Sequence, residues 1–213
     1  MSGTKATALN DFAEATGRAY TRFDYRGHGR SSGRFEELSI GDWIEDALTV
    51  LDRVARGRQI LIGSSMGAWI ALLVALRRPE RVAGLVTMAA APDFTEDLVW
   101  ARLDVAERRR MIAEGRIERP SLYSSTPDIF TLRLVEDGRR HLLLRGPIPL
   151  SCPVRMLHGT ADMDVPWRCS LALMERLQST DARLTLIKDA DHRLSEPRQI
   201  EAMLASVAEL ASG

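Results

Sequence analysis

The pentapeptide Gly63-Ser64-Ser65-Met66-Gly67 contains the residue types of a turn that carries a nucleophile. It fits G-x-S-x-G, a pattern in which a serine stands on a sharp bend between a strand and a helix. The pattern alone is weak because glycine and serine are common, so its context matters. An apolar run leads into it and a run of small and apolar residues follows it, as such a bend requires. We therefore predict that Ser65 is exposed at the bend and acts as a nucleophile.

The neighbours of Ser65 have predicted roles of their own. The backbone N–H of Met66 is expected to stabilise a developing oxyanion, an interaction that often contributes most in acyl transfer. Gly63 and Gly67 are expected to avoid side-chain clashes with the neighbouring strand and helix, because the serine backbone is strained. The alternative is an ordinary Gly/Ser turn at a helix start, and that is our interpretation of Ser64.

A serine hydroxyl is a weak nucleophile without a base, so a histidine must be able to reach Ser65. The chain has four histidines. His192 is the predicted base, because it lies on a loop after the last apolar strand-like run. The other three have simpler interpretations: His28 as a loop hydrogen bonder, His141 as a solvated surface residue, and His158 as the source of a structural hydrogen bond at a strand end.

The third side chain of such a site is an acid that orients the imidazole and stabilises the imidazolium. The segment His158-Gly159-Thr160-Ala161-Asp162 provides one directly after a predicted strand. Asp164 is a rival, and the Gly-x-x-Asp spacing favours Asp162. Asp189 and Asp191 are interpreted as loop or capping residues. The order along the chain is then Ser, Asp, His.

Short apolar runs alternate with longer helical patterns, which is typical of crossover units in a mostly parallel sheet. We therefore expect an α/β fold with helices on both sides of the sheet. Ser39 and Asp42 fit a capping box, and Pro166 fits a helical first turn. The predicted strands are Ala19–Asp24, Gln59–Gly63, Val82–Ala89, Val154–His158 and Arg183–Lys188. The predicted helices are Thr4–Ala15, Ser39–Val54, Met66–Arg77, Pro166–Gln178 and Pro197–Leu210.

The alternation is interrupted between residues 93 and 150. We expect one domain, with a core of residues 1–92 and 151–213 and an inserted cap of residues 93–150. The cap begins with a predicted helix, Thr95 to Gly115, continues through a Pro/Ser/Tyr segment, and ends with Asp128 to Leu144. Its apolar residues either cover an acyl chain or only attach the cap to the sheet. Its arginines either steer a carboxylate-bearing leaving group or form a solvated face. The predicted substrate-binding side chains are Phe94, Trp100 and Trp167.

The composition limits the classes of partner. The 29 basic residues balance the 29 acidic residues, so no net field favours nucleic acid or an anionic membrane. No apolar run reaches the roughly 20 residues of a membrane span, and the first nine residues lack the apolar run of a signal peptide. Cys152 and Cys169 are too few for a disulfide framework and show no metal-type pairing. We expect a soluble, cytoplasmic protein with a small, roughly neutral substrate, no metal and no nucleic acid.

Seven short segments carry a further resemblance: Gly3-Thr4-Lys5-Ala6, Arg22-Phe23-Asp24-Tyr25, Gly41-Asp42-Trp43, Ile62 to Gly67, His158-Gly159, Val165-Pro166-Trp167 and Asp191-His192-Arg193. They resemble the α/β-hydrolases. One branch is similar over nearly the whole chain: the abhydrolase-domain palmitoyl-protein thioesterases, which include a mitochondrial mycophenolic acid acyl-glucuronide esterase. The resemblance implies an α/β-hydrolase fold and cleavage of acyl thioesters or esters, with a small-molecule or acyl-protein substrate. It also implies Ser65, Asp162 and His192 as the catalytic triad, and no cofactor.

The chain departs from that family at its beginning. In the family, earlier strands and a loop that donates a second oxyanion N–H precede the segment that matches Gly3 to Ala6. A strand is therefore expected to be missing between Ala19–Asp24 and Gln59–Gly63. The loss of one oxyanion donor typically costs about 100- to 1,000-fold in rate. We expect that the start is assigned too late and that Met1 is an internal methionine. A stop codon directly upstream of Met1 would remove this expectation.

Other functions remain open at this point. A dehalogenase would need aspartate at the nucleophile position, where this chain has Ser65. The same three side chains also fit a cofactor-free peroxidase, an amidase or a carbon–carbon bond hydrolase. A different class is a hydrolase-like binding protein without catalytic activity, which is favoured if the natural chain is this short.

Overall fold

A four-stranded parallel sheet forms the centre of the computed structural model, which describes residues 3–121 and 125–212. The strands are β1 Gln59–Ser64, β2 Val82–Met88, β3 Arg116–Arg119, β4 Asp128–Thr131, β5 Val154–Gly159 and β6 Ala182–Ile187. In spatial order, the strands of the parallel sheet are β1, β2, β5 and β6. A separate antiparallel pair is formed by β3 and β4. The predicted α/β fold, with a parallel sheet flanked by helices, is confirmed.

Five of the helices correspond to predicted ones. The helices are α1 Thr4–Ala15, α2 Ile40–Arg53, α3 Met66–Arg77, α4 Val105–Glu114, α5 Leu132–Gly138, α6 Arg168–Arg176 and α7 Pro197–Ser212. The capping box at Ser39 and Asp42 is present at the start of α2. Pro166 precedes α6, which begins at Arg168 rather than at the proline. No helix in the described part of the chain is long and apolar enough to cross a bilayer.

Helices cover both faces of the sheet. On one face α3 is the most buried helix, and its side chains pack with α2 and with the strands. On the other face α1 and α7 pack together against β2 and β5. All six residues of β5 are buried as a result. A strand buried on both faces is expected to be almost entirely apolar. In β5 Arg155 and His158 are exceptions: Arg155 is paired with Asp181 and Glu209, and His158 lies beside the candidate site.

The predicted strand Ala19–Asp24 is not a strand, and this prediction is wrong. A strand needs a neighbour with which it shares a hydrogen-bonded ladder. Among the described residues, β1 pairs only with β2 and forms an edge of the sheet. Residues 18–23 and β1 both line a groove of about 780 Å³. The groove separates residues 18–23 from the sheet, so their backbone has no ladder to join.

The segment from residue 93 to residue 150 connects β2 and β5, which are neighbours in the sheet. The predicted long helix from Thr95 to Gly115 is broken into a π-helical turn, a 3-10 turn and α4. Asp104 causes the break, because it forms a capping box with Glu107 that starts a new helix. The region from Asp128 to Leu144 contains β4 and α5. Part of the predicted Pro/Ser/Tyr segment, residues 122–124, lies outside the described residues.

Asp93 fixes the end of this segment to its beginning. Its side chain is fully buried and accepts hydrogen bonds from the amides of Leu143, at 2.7 Å, and Leu144, at 2.9 Å. Its backbone has a φ of 58°, in the left-handed region that aspartate tolerates better than most residues. The two ends of the segment are therefore joined to each other shortly after β2 ends.

Candidate active site

Ser65 occupies the bend between β1 and α3. It has φ 55° and ψ −123°, a conformation that costs a non-glycine residue free energy. Its N–H donates to the carbonyl of Met88 at 2.9 Å, and its carbonyl accepts from the amide of Ala91 at 3.3 Å. Both partners lie at or just after the end of β2. The neighbouring strand thus holds the strained serine at the carboxyl edge of the sheet.

Only one of the two glycines that flank Ser65 is sterically required. A Cβ atom at Gly63 would lie 2.6 Å from the Cα atom and 2.7 Å from the backbone nitrogen of Ala68, distances that real side chains do not adopt. A Cβ atom at Gly67 would meet nothing within 4 Å. The absence of a side chain at Gly63 therefore lets β1 and α3 approach each other. The prediction of a steric clash at Gly67 is wrong.

The three predicted catalytic side chains lie in one chain of hydrogen bonds. The Nε2 atom of His192 is 3.0 Å from the hydroxyl oxygen of Ser65, and its Nδ1 atom is 2.7 Å from Oδ2 of Asp162. A carboxylate only accepts, so Nδ1 donates its hydrogen to Asp162. Nε2 of the neutral ring is then free to accept the proton of the serine hydroxyl.

Asp162 is held as a carboxylate by its surroundings. Its side chain is completely buried. Burial raises the pKa of this group, but hydrogen bonds from His158, His192 and the amide of Val165 outweigh burial and hold its pKa well below the usual range. The rival Asp164 does not bond to His192; instead its amide donates to Oδ1 of Asp162 at 3.0 Å. Asp162, and not Asp164, therefore accepts the hydrogen bond from His192.

The loops that carry Asp162 and His192 are fastened to each other. They follow β5 and β6, whose parallel pairing brings their carboxyl ends together. The amide of Ala161 donates to the carbonyl of Ala190 at 3.0 Å, and the amide of Asp189 donates to the hydroxyl of Thr160 at 2.9 Å. A Cβ atom at Gly159 would lie 2.6 Å from the carbonyl carbon of Ala190. Glycine is therefore needed where the two loops make their closest approach.

Met66 is the first residue of α3. The first amides of a helix have no acceptor within the helix, and they carry the positive end of its dipole. The N–H of Met66, directly after Ser65, is such a group. An oxygen that gains negative charge beside Ser65 would be stabilised by it.

The predicted substrate-binding side chains are held by other residues. Phe94 packs edge-on against Trp69, with 5.7 Å between ring centroids. Trp100 has the guanidinium groups of Arg139 and Arg108 over its ring, at 4.8 and 5.5 Å from the centroid. Trp167 directly precedes α6 and follows the loop of Asp162. Trp167 is therefore close to Asp162 along the chain, whereas Phe94 and Trp100 contribute to packing within the 93–150 segment and against α3.

Of the other three histidines, His28 has the predicted environment, and His141 and His158 each differ from the prediction. His28 behaves as expected, with its Nδ1 atom 3.2 Å from the carbonyl of Arg26. His141 is not solvated: its side chain is 13% exposed and faces Asp137, and burial lowers its pKa. His158 does make structural hydrogen bonds, but one of them reaches Asp162 itself. The i, i+4 spacing of His158 and Asp162 is the only sequence signal of that contact.

Asp162, Asp164 and His192 also offer atoms of the kind that bind metals, all within 4.8 Å of one another. Both oxygens of Asp162 already accept hydrogen bonds, Oδ1 from two amides and Oδ2 from two imidazoles. A cation would have to displace these donors. The donor pattern fits an orienting carboxylate better than a metal ligand.

Comparison with known proteins identifies the family of this chain. A sequence profile of the alpha/beta hydrolase family matches residues 5–205. The chain belongs to the alpha/beta hydrolase family. It is 38% identical over 212 residues to the mitochondrial palmitoyl-protein thioesterase ABHD10 of Bos taurus, which covers 99% of this chain and 69% of the relative. The predicted resemblance to this branch is confirmed, and the chain is a hydrolase.

Solved structures of alpha/beta hydrolases agree with this assignment. A putative hydrolase from Agrobacterium vitis S4 superposes with a TM-score of 0.96 at 44% identity, covering 99% of this chain and 83% of the other. The mouse alpha/beta hydrolase domain-containing protein 10 gives 0.92 at 37% identity, covering 100% and 85%.

The prediction of a cytoplasmic location is wrong. The mammalian relatives that match 99% of the chain are named as mitochondrial proteins, which points away from the cytoplasm. A low cysteine count indicates a reducing compartment but does not say which one, so it does not distinguish the cytoplasm from another reducing compartment.

Proposed function

We propose that this alpha/beta hydrolase cleaves acyl thioesters or carboxylic esters through a covalent intermediate on Ser65. The observation that carries the proposal is the continuous chain of hydrogen bonds from Ser65 through His192 to Asp162, at 3.0 and 2.7 Å. A hydroxyl at this distance from an imidazole nitrogen transfers its proton without a large movement. The names of the relatives, a palmitoyl-protein thioesterase and a monoacylglycerol lipase from Mycolicibacterium smegmatis, support the class of bond.

The first half of the reaction acylates the serine. His192 takes the hydroxyl proton as Ser65 attacks the acyl carbonyl, and the N–H of Met66 stabilises the oxyanion. His192 then gives the proton to the departing thiol or alcohol. Asp162 stays ionised and stabilises the imidazolium while it exists, in keeping with its lowered pKa.

The second half releases the acid. Water enters, His192 takes one of its protons, and the hydroxide attacks the acyl carbonyl on Ser65. The tetrahedral intermediate collapses with return of the proton to the serine oxygen. Each half uses the same three side chains, so no cofactor takes part in the proposed cycle.

We further propose that residues 93–150 form a cap over the substrate and that Trp167 contacts it. Trp167 lies on the loop between Asp162 and α6, and the guanidinium of Arg168 stacks over its ring at 4.6 Å from the centroid. A small-molecule acyl ester or thioester, or an acyl-protein, is the proposed substrate. Turnover of an acyl thioester and of its oxygen ester, measured side by side, distinguishes the two bond types.

The direct test is turnover of a short p-nitrophenyl ester. Ser65→Ala should abolish turnover while the circular dichroism spectrum remains unchanged. Ser64→Ala is the matched control, because it removes the same hydroxyl one residue earlier, at the end of β1. It should keep most of the activity. Equal activity in wild type and Ser65→Ala would refute the assignment of the nucleophile.

The sequence alone also fits a function of another class, that of a hydrolase-like binding protein without catalytic activity. It would bind an acyl ligand but leave the hydroxyl of Ser65 unreactive. The contact between Ser65 and His192 favours the enzyme, since a binding protein has no need of an activated serine.

A further inference from the structure

His158 is a buried histidine that the proposed reaction does not use. It is the fifth residue of β5, and its side chain is completely inaccessible to solvent. The Nε2 atom lies 3.1 Å from Oδ2 of Asp162 and 2.9 Å from the carbonyl oxygen of Val165. The Nδ1 atom lies 2.7 Å from the hydroxyl oxygen of Ser170, in α6. The ring therefore connects β5, the loop of Asp162 and α6.

The partners of the His158 ring determine where its hydrogen is. Both atoms near Nε2 are oxygens that only accept, one of a carboxylate and one of a carbonyl, so Nε2 carries a hydrogen. The hydroxyl of Ser170 can donate to Nδ1. A neutral ring with its hydrogen on Nε2 then satisfies all of these contacts.

His158 contacts the same oxygen of Asp162 that contacts His192. Oδ2 of Asp162 is the atom that accepts from Nδ1 of His192, at 2.7 Å. The other oxygen, Oδ1, is held by the amides of Asp164 and Val165. His158 thus completes a set of four donors around one carboxylate, and two of these donors share Oδ2.

We propose that His158 is a positioning residue, which fixes Oδ2 of Asp162 for the imidazole of His192 and limits how strongly that oxygen attracts it. This inference rests on the proposed function of Ser65, Asp162 and His192. The carboxylate cannot rotate about its last torsion without losing donors on both oxygens. Because His158 and His192 both donate to Oδ2, the negative charge of this oxygen attracts the imidazole of His192 less strongly than it would without His158.

Among the described residues, Asp164 and Cys169 are two other titratable groups near this carboxylate. Asp164 lies within 4.8 Å of the same cluster, on the loop that follows β5. The pKa of Cys169, in α6, is raised mainly by burial, and the negative charge of Asp162 also contributes to this increase. None of these lies between His158 and Oδ2, so a change at His158 acts on His192 mainly through Asp162.

The test compares His158→Leu with His158→Gln. Leucine keeps much of the volume but donates nothing, whereas glutamine places an uncharged N–H near the position of Nε2. We expect His158→Leu to lower kcat by about 10- to 100-fold with KM within about twofold, because the acid is no longer fixed. The acid limb of the kcat/KM profile should move to higher pH by about 0.5–1 unit, because Oδ2 then attracts the imidazolium more strongly. His158→Gln should restore both values.

Ser170→Ala is the matched control. It removes the partner of the other ring nitrogen and leaves the contact to Asp162 in place. Its pH profile should match the wild type even if its Tm falls. A His158→Leu protein that folds and keeps the wild-type kcat and acid limb would overturn the proposal. So would a Ser170→Ala protein in which the acid limb moves as far as in His158→Leu.

A spectroscopic measurement on the unaltered protein does not depend on activity or on the folding of a variant. The ¹⁵N shifts of the imidazoles should show a hydrogen on Nε2 of His158 and on Nδ1 of His192. A bare Nε2 in His158 would overturn the positioning role. If these shifts are as expected but the wild type hydrolyses no ester or thioester, the proposed function has failed and the positioning contact has not.

Discussion

Replacement of Gly159 by alanine tests whether the two loops of the site must approach closely. The added Cβ atom would lie 2.6 Å from the carbonyl carbon of Ala190 and 2.8 Å from the carbonyl oxygen of Asp191. Carbon atoms pack at about 3.5 Å, so the loop has to retreat by roughly 1 Å. Both obstacles are backbone atoms, which cannot rotate away as a side-chain end does. The loop that retreats is the one that carries His192.

The expected effect on activity follows from that distance. A retreat of about 1 Å lengthens the 3.0 Å contact between His192 and Ser65 beyond hydrogen-bond range. A displacement of this size costs about 100-fold in kcat. Overpacking of this kind should also lower the free energy of unfolding by about 1–3 kcal/mol. We expect the Tm to fall by roughly 2–12 °C in a chain of this length.

The assay is turnover of a p-nitrophenyl ester at saturating substrate, with the Tm measured on the same samples. Gly146→Ala is the matched control, since a Cβ atom at Gly146 meets nothing within 4 Å and its backbone is not left-handed. It should leave kcat and Tm close to those of the wild type. A Gly159→Ala protein with wild-type kcat would refute the argument that this approach positions His192.

Three further predictions follow from other contacts. Gly63→Ala should lower both Tm and ester turnover, because its Cβ atom would lie 2.6 Å from the Cα atom of Ala68. Gly67→Ala should be tolerated, because its Cβ atom would meet nothing within 4 Å. Thermal melts and turnover assays of the two variants check this. Asp93→Ala should lower the free energy of unfolding by about 2–5 kcal/mol in urea titrations, because two amide donors lose their buried acceptor. Equal stability of this variant and wild type would contradict that role. Folding lowers the pKa of Asp162, so the ionised carboxylate stabilises the folded protein at pH values above the pKa of an unfolded aspartate. This stabilisation is lost as the pH falls toward the pKa of Asp162 in the folded protein. The stability difference between wild type and Asp162→Asn should therefore be constant from pH 7 to about pH 4 and shrink below it; a difference that grows on acidification would contradict the assignment.

The sequence predicts the four strands of the parallel sheet well, each to within two residues. Only β2 and β5, in the centre of the sheet, are buried along nearly their whole length, as their apolar runs indicate. The edge strands β1 and β6 are less buried, and their short β-rich runs were sufficient to predict them. Helices α1 and α3 begin and end where predicted. Residues 19–24 have the same kind of composition, but a strand also needs a partner, and composition does not supply one.

Within the site, order and spacing along the chain were sufficient for Ser65, Asp162 and His192 to be predicted together. The contact between His158 and Asp162 was missed, because it depends on how the intervening loop folds back over the end of β5. The break in the predicted helix from Thr95 to Gly115 left a readable signal, the capping pair Asp104 and Glu107.

The central claim is that His192 activates the hydroxyl of Ser65. The most direct measurement is the site and rate of labelling by a fluorophosphonate, followed by mass spectrometry of the intact protein and its peptides. We predict a single label on Ser65 that forms slowly or not at all in His192→Ala. A label on another residue, or an equal rate of labelling with and without His192, would contradict the account.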